Sequence, residues 1–350
     1  MLEGIASQDS APLGFKKGYE CGGVGIMTSA AISALPIGIR LFNRPECAEP
    51  LLKSLVSQSL DVTGRRISCT IDGYQGSLDQ LRGKPDRTDE VANVVKKYFP
   101  DAHIHRYEKN VGLAVCAFDL AHDVFDNTDK DWAIFLEEDI VLKPDFVKAI
   151  EHLVNLADDH SEVVKVATHQ VRLAYAQIPA ASTRKNFYLG QGTRAIAERK
   201  SFFESRLPLT EKYLEIISGS QYSDRDESDV FSRLAQFGIF TLMGNNDEVQ
   251  DRITIYLGGL HITTPQSFVL DESVGGETSF RYPDIALPDS QSAQILATTQ
   301  EDFAEALPSI KKELSAFEYR FFKQFWGGYM TSKSGSLALR VLIRKLLRKG

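Results

Sequence analysis

The chain has 350 residues, of which 43% are hydrophobic and 25% charged, with a net charge of −7. That length suits one large domain with an appendage or two modest ones, in the composition of a soluble globular protein, and the acidic balance excludes a general nucleic-acid-binding surface. Four cysteines, Cys21, Cys47, Cys69 and Cys116, are widely spaced without a CxxC pair, which excludes a disulfide framework or zinc site and reads as buried small hydrophobes in a reducing compartment.

The start, Met-Leu-Glu-Gly-Ile, lacks the basic region of a signal peptide. Residues 23–39 are mostly apolar but contain Gly, Ser, Thr and Pro36, and their second half is needed for a strand, so no membrane span is expected. Residues 1–34 show no clear periodicity and are read as a leader. Pro36 to Phe42 is a first strand, followed by the turn Asn43-Arg44-Pro45 and a helix with Leu51, Leu52, Leu55 and Val56 on one face. Arg66 to Ile71 is a second strand ending at Asp72-Gly73, and a polar loop leads to a helix over Glu90 to Phe99. His103 to Tyr107 is a third strand. Asn110 to Ala114 opens a helix with Leu113, Ala117, Phe118, Ala121 and Phe125 inward.

A run of apolar residues, Trp132 to Leu136, then reads as a strand buried on both faces. It ends in three carboxylates, Glu137, Glu138 and Asp139. Uncompensated negative charge at the end of a buried strand is costly, so a cationic partner is expected. Because ligands of open α/β sheets bind at the carboxyl ends of strands, a divalent metal carrying a phosphorylated ligand suits this position; a solvated turn is the alternative. Pro144-Asp145 starts a helix, and Val163 to Ala167 is a further strand. The alternation of strands and helices with short connections implies an α/β fold, with a mostly parallel, doubly wound sheet and helices on both faces.

In this order the residues resemble a nucleotide-sugar glycosyltransferase of the GT-A fold, similar to the glycosyltransferase 2 family and to N-acetylglucosaminyltransferase I-like enzymes. Four segments carry the resemblance: Phe42-Asn43-Arg44-Pro45-Glu46 after the first strand, Asp72-Gly73 after the second, Asn110-Val-Gly112-Leu-Ala before a helix, and Glu137-Glu138-Asp139 in the setting FLEEDIVLKPDF. The resemblance implies a GT-A domain over residues 35–270 and a C-terminal extension over 271–350. It further implies a metal-dependent, inverting transfer of a hexosyl or N-acetylhexosaminyl group from a UDP- or GDP-linked sugar to a hydroxyl of a glycan or lipid-linked acceptor. Asp139 and His261 would hold Mn²⁺ or Mg²⁺, though Glu137 departs from a strict Asp-x-Asp pattern. Asn43, Arg44, Asp72, Asn110, Gly112, Glu137 and Glu138 would line the donor. Their plainer readings are turn, cap and close-approach residues.

On the acceptor side, Phe187 to Arg194 resembles a glycine-containing acceptor loop, followed by an amphipathic stretch over Ala195 to Phe203. The acidic cluster Asp224, Asp226, Glu227 and Asp229 precedes a helix over Val230 to Gly238. It resembles the segment that supplies a catalytic base, with Asp229 favoured and Glu227 its competitor; Asp229 reads equally as an N-cap. Ser336 to Gly350 has five basic residues and no acids, with leucines on one helical face, and reads either as a peripheral membrane contact or as a packed terminal helix. The expected location is cytoplasmic, and the first reading would add a peripheral position on the inner face of the membrane. Competing functions are a nucleotidyltransferase, for which Asn43 to Glu46 lacks the glycines, and a non-catalytic sugar-nucleotide-binding protein.

Overall fold

The computed structural model describes residues 34–168, 187–219, 225–241, 244–264, 267–271, 293 and 295–329. The leader up to residue 33, Cys21, Asp224 and the basic segment 336–350 lie outside the described residues. Eight strands form one sheet in the order β3-β2-β1-β4-β8-β6-β9-β7. They are β1 (Ile37–Leu41), β2 (Ile67–Ile71), β3 (His103–Arg106), β4 (Trp132–Glu137), β6 (Val163–Ala167), β7 (Tyr188–Leu189), β8 (Ala195–Arg199) and β9 (Leu260–Thr263). The pairings β1–β2, β2–β3, β1–β4 and β6–β9 are parallel, whereas β8 runs antiparallel between β4 and β6, and β7 pairs antiparallel at the edge. A separate antiparallel pair joins β5 (Ile140–Leu142) to β10 (Val269–Asp271). The expected α/β fold with a mostly parallel sheet is thus present.

Strand periodicity divides the core. In β4, Trp132, Ile134 and Leu136 face one way, into a core shared with α1 (Pro45–Val56), α3 (Thr88–Tyr98) and α5 (Phe146–Ala157). Ala133 and Phe135 face the other way, towards α4 (Leu113–Asp126) and α6 (Lys200–Ile217). Helices therefore cover both faces. Gly38 permits this closeness, since a Cβ there would stand 2.9 Å from the Phe135 ring and 3.1 Å from Leu120. The remaining helices are α2 (Leu78–Leu81), α7 (Glu227–Gln236), α8 (Asn246–Tyr256) and α9 (Gln300–Tyr329). Phe303, Leu307 and Ile310 of α9 join the first core. No helix among the described residues is long and apolar enough to cross a membrane.

Three expectations need correction. The stretch 195–203 is not amphipathic throughout, because Ala195–Arg199 is the fully buried strand β8 and the helix starts at Lys200. Leu113 does not face inward; it is exposed, and Ala114, Cys116, Leu120, Ala121, Val124 and Phe125 are the buried residues of α4. Asp229 is not an N-cap. Asp226 caps α7, its side chain accepting from the N–H groups of Ser228 and Asp229. Cys47, Cys69 and Cys116 are buried free thiols, as expected.

Candidate functional site

Alternation along β1 places Arg40 on the α4 face, opposite Ile39 and Leu41, and register makes Arg40 the partner of Glu137 on β4. Arg40 Nη2 meets Glu137 Oε1 at 2.5 Å and donates to the Thr193 carbonyl at 2.9 Å. Burial raises the Glu137 carboxyl above its ordinary range, opposed by Arg40 and reinforced by Asp247 and Asp139. The next residue along the chain is held by a different cation. Glu138 Oε2 accepts from the Phe42 N–H at 2.8 Å and Oε1 from Arg44 Nε at 2.6 Å. Arg44 also stands 3.7 Å from Asp139 Oδ2. Burial works against the Arg44 charge, but Glu138 and Asp139 outweigh it and its pKa rises. Its side chain keeps 41% of its surface exposed, so the same guanidinium can face a ligand.

The cations that the strand-end acids require are therefore supplied within the chain by Arg40 and Arg44. Asp139 differs from its two neighbours: its Oδ1 is buried with no hydrogen-bond partner. Among the described residues, no three His, Cys, Asp or Glu side chains lie close enough to hold a metal ion. The uncommitted carboxylate oxygen of Asp139 is of the hard type that a divalent cation takes.

His261 does not join this group. It sits in β9 as the parallel partner of Lys165, buried, with neither ring nitrogen hydrogen-bonded. Its ring packs on Gly190, where a Cβ would come within 2.7 Å, and it borders a cavity of about 10 Å³ with Asp251, Thr254 and Gly259. Burial, with the Lys165 charge, lowers its pKa to about 3. Across that cavity, burial raises the Asp251 carboxyl to about 7. Beside them Lys165 donates to Thr254 at 3.1 Å, and Arg206 clasps Glu198 at 2.8 and 2.9 Å.

Asp72, Asn110 and Gly112 come together in one closed hydrogen-bonded knot. Asp72 Oδ1 accepts from the N–H groups of Gly73 and Val111, and Oδ2 from Gly112 N–H and Asn110 Nδ2, at 2.8 to 3.0 Å. These bonds tie the end of β2 to the start of α4. A donor group reaching Asp72 has to replace one of them. Asn43 in turn pins the loop after α2, donating to Pro85 O at 2.9 Å and accepting from Arg87 N–H at 2.6 Å.

Glu227 and Asp229 lie exposed on α7, where Asp229 pairs with Arg233 at 3.6 Å. The acid brought to the strand-end carboxylates is a different one, Asp247 in the first turn of α8. Thr193 Oγ1 lies 2.6 Å from Asp247 Oδ1 and 3.2 Å from Glu137 Oε1. Asp247 does not stand out in the sequence, because Asn245-Asn246-Asp247-Glu248 looks like ordinary capping, and Asn245 is indeed the N-cap. The available signal was an acid in the first turn of a helix shortly before the strand that carries His261.

No protein-family model matches the sequence, and no curated protein does. Among solved structures, the chain is similar to the crystal structure of S. aureus TarS 1–349, with a TM-score of 0.40 and 10% identity over 77% of this chain and 71% of that one. The same fragment in complex with UDP-GlcNAc gives a TM-score of 0.40 and 11% identity over 75% and 71%. For the longer S. aureus TarS structure the values are 0.39 and 10%, over 67% of this chain and only 36% of that one.

Proposed function

We propose that this chain is a glycosyltransferase that moves a sugar from a UDP- or GDP-linked donor to a hydroxyl of a glycan or lipid-linked acceptor, with inversion. The observation that carries the proposal is the convergence, at the carboxyl ends of β1 and β4, of Arg44, Asp139 and Glu137 with Asp247 of α8. In this reading Arg44 pairs with the donor diphosphate, for which a guanidinium is well shaped. Asp139 holds Mn²⁺ or Mg²⁺, and that ion supplies charge neutralisation on the departing diphosphate. Asp247 is the general base. It takes the proton of the acceptor hydroxyl as the oxygen attacks the anomeric carbon, and the electron pair of the broken C–O bond leaves with the nucleoside diphosphate. Asp229, the residue favoured from sequence, is the competing base.

The test is nucleotide release from a panel of UDP- and GDP-sugars, UDP-GlcNAc among them, by wild type, Asp247→Asn and Asp229→Asn. Asp247→Asn is expected to lower kcat by about 10²-fold or more with donor affinity retained. Full activity in Asp247→Asn with loss in Asp229→Asn would return the base to α7. A second reading is a non-catalytic sugar-nucleotide-binding protein, favoured by the commitment of both Glu137 and Glu138 to arginines. Tight donor binding with no turnover on any acceptor would select it.

A further inference from the structure

We propose that Thr193 is a positioning residue for this transfer, its hydroxyl holding the Asp247 carboxylate at the edge of the strand-end acids; the proposal rests on Asp247 being the base. Thr193 is 8% exposed and lies in the segment between β7 and β8. Its Oγ1 has three neighbours: Arg40 Nη2 at 3.2 Å, Glu137 Oε1 at 3.2 Å and Asp247 Oδ1 at 2.6 Å. A hydroxyl has one proton to give. Arg40 can only donate, so it occupies a lone pair of Oγ1 and leaves the proton for a carboxylate. Glu137 Oε1 already receives an Arg40 N–H at 2.5 Å, whereas Asp247 is the closer acceptor. The proton of Thr193 therefore goes to Asp247.

The segment around Thr193 is itself fixed. Gly190 N–H donates to His261 O at 2.7 Å, and Gly192 N–H donates to Asp251 Oδ2 at 3.1 Å, one turn beyond Asp247 on the same helix. Arg40 anchors the Thr193 carbonyl from β1. The chain thus grips successive turns of α8 from one short segment. A carboxylate on the first turn of a helix otherwise has freedom about its own side-chain torsions, and a base displaced by about 1 Å can cost about 10²-fold in rate. The hydroxyl of Thr193 removes that freedom.

The experiment compares Thr193→Val, which keeps the shape and loses the hydroxyl, with Thr193→Ser, which keeps the hydroxyl and loses the methyl group. Thr193→Val is expected to lower kcat about tenfold to a hundredfold with the donor KM unchanged, and Thr193→Ser to stay within about threefold of wild type. In the double variant with Asp247→Asn, Thr193→Val should cause no further loss, because both act through one group. If Thr193→Val does not fold, Thr193→Ala read against Thr193→Ser makes the same comparison. Wild-type turnover in Thr193→Val, an equal loss in Thr193→Ser, or losses that multiply in the double variant would each overturn the proposal. If Asp247→Asn itself keeps full transfer, the reading of the base fails first; if Asp247→Asn is inactive and Thr193→Val is not, only the role of Thr193 fails.

Discussion

Arg40 and Glu137 are register partners on adjacent parallel strands, and their side chains meet at 2.5 Å with only 6% and 14% of their surfaces exposed. Without Arg40, Glu137 would keep as cation only Arg194, 3.8 Å from its other oxygen, against the burial that already raises its pKa. Breaking such a pair from one side usually costs about 3–5 kcal/mol, whereas replacing both partners with apolar residues can be nearly neutral. Arg40→Met should therefore destabilise the chain by that amount in urea unfolding, and Arg40→Met with Glu137→Leu should recover most of it. A cost below about 1 kcal/mol for Arg40→Met would mean that Glu137 finds other partners.

The knot at Asp72 offers a separation of structure from donor binding. Asp72 accepts hydrogen bonds from four nitrogens, three of them backbone N–H groups. An Asn at that position has one acceptor oxygen and turns an amide donor towards another donor, so Asp72→Asn should cost about 1–3 kcal/mol. Gly73→Ala should cost at least as much, because its Cβ would fall 2.3 Å from the Lys109 backbone, which cannot move aside as a side-chain tip can. If Asp72→Asn instead leaves the melting temperature unchanged and lowers affinity for UDP or GDP, Asp72 reads the nucleotide.

The sheet's first half was readable because its causes are local. The apolar run in β4, Pro45 at the start of α1 and the leucine stripe of α1 each state a period or a stop. The reversal at β8 has no local cause. Ala195-Ile-Ala-Glu-Arg199 alternates weakly, and its strand state comes from antiparallel pairing with β4 and β6, roughly sixty and thirty residues earlier. The candidate site divides the same way. The acids at 137–139 announce themselves by interrupting a strand, whereas Asp247 becomes notable only when Thr193 brings it to Glu137. The resemblance assigns His261 to a metal site, but its burial under Gly190 comes from packing between β9 and the segment before β8, which no local pattern states.

His261 and Asp251 border one cavity and respond to pH in opposite senses. The folded chain holds His261 at about 3 against an ordinary 6.5, so between those values the unfolded state binds more protons and stability is lost as pH falls. Asp251 is raised from 3.8 to about 7, so between those values the folded state holds the extra proton and stability is lost as pH rises. Each slope is at most about 1.4 kcal/mol per pH unit, and in wild type the two offset one another between about pH 4 and 6.5. Asp251→Asn, whose amide oxygen can still accept from Gly192, should leave a stability that climbs with pH across that interval. His261→Gln should leave one that declines. Urea midpoints measured from pH 4 to 7 check this, and two variants that run parallel to wild type would show that neither group titrates as its surroundings dictate.

Asp139 is the acid at the strand end whose Oδ1 is buried without a partner, while Glu137 and Glu138 each hold an arginine. A buried acceptor left unsatisfied costs about 1–3 kcal/mol, so in EDTA and without nucleotide Asp139→Asn should melt no lower than wild type, apart from the weak contact at 3.7 Å to Arg44. With Mn²⁺ or Mg²⁺ and UDP or GDP the order should invert. Ligand at a hundred times its dissociation constant stabilises the folded state by about 2.7 kcal/mol, and that gain should appear in wild type only when the cation is present. Asp139→Asn should lose the cation-dependent part and Glu137→Gln less of it, because Glu137 is occupied by Arg40. Equal stabilisation by nucleotide in excess EDTA would remove the metal from the site. The diphosphate would then rest on Arg44, and Arg44→Ala would be the variant that abolishes nucleotide stabilisation.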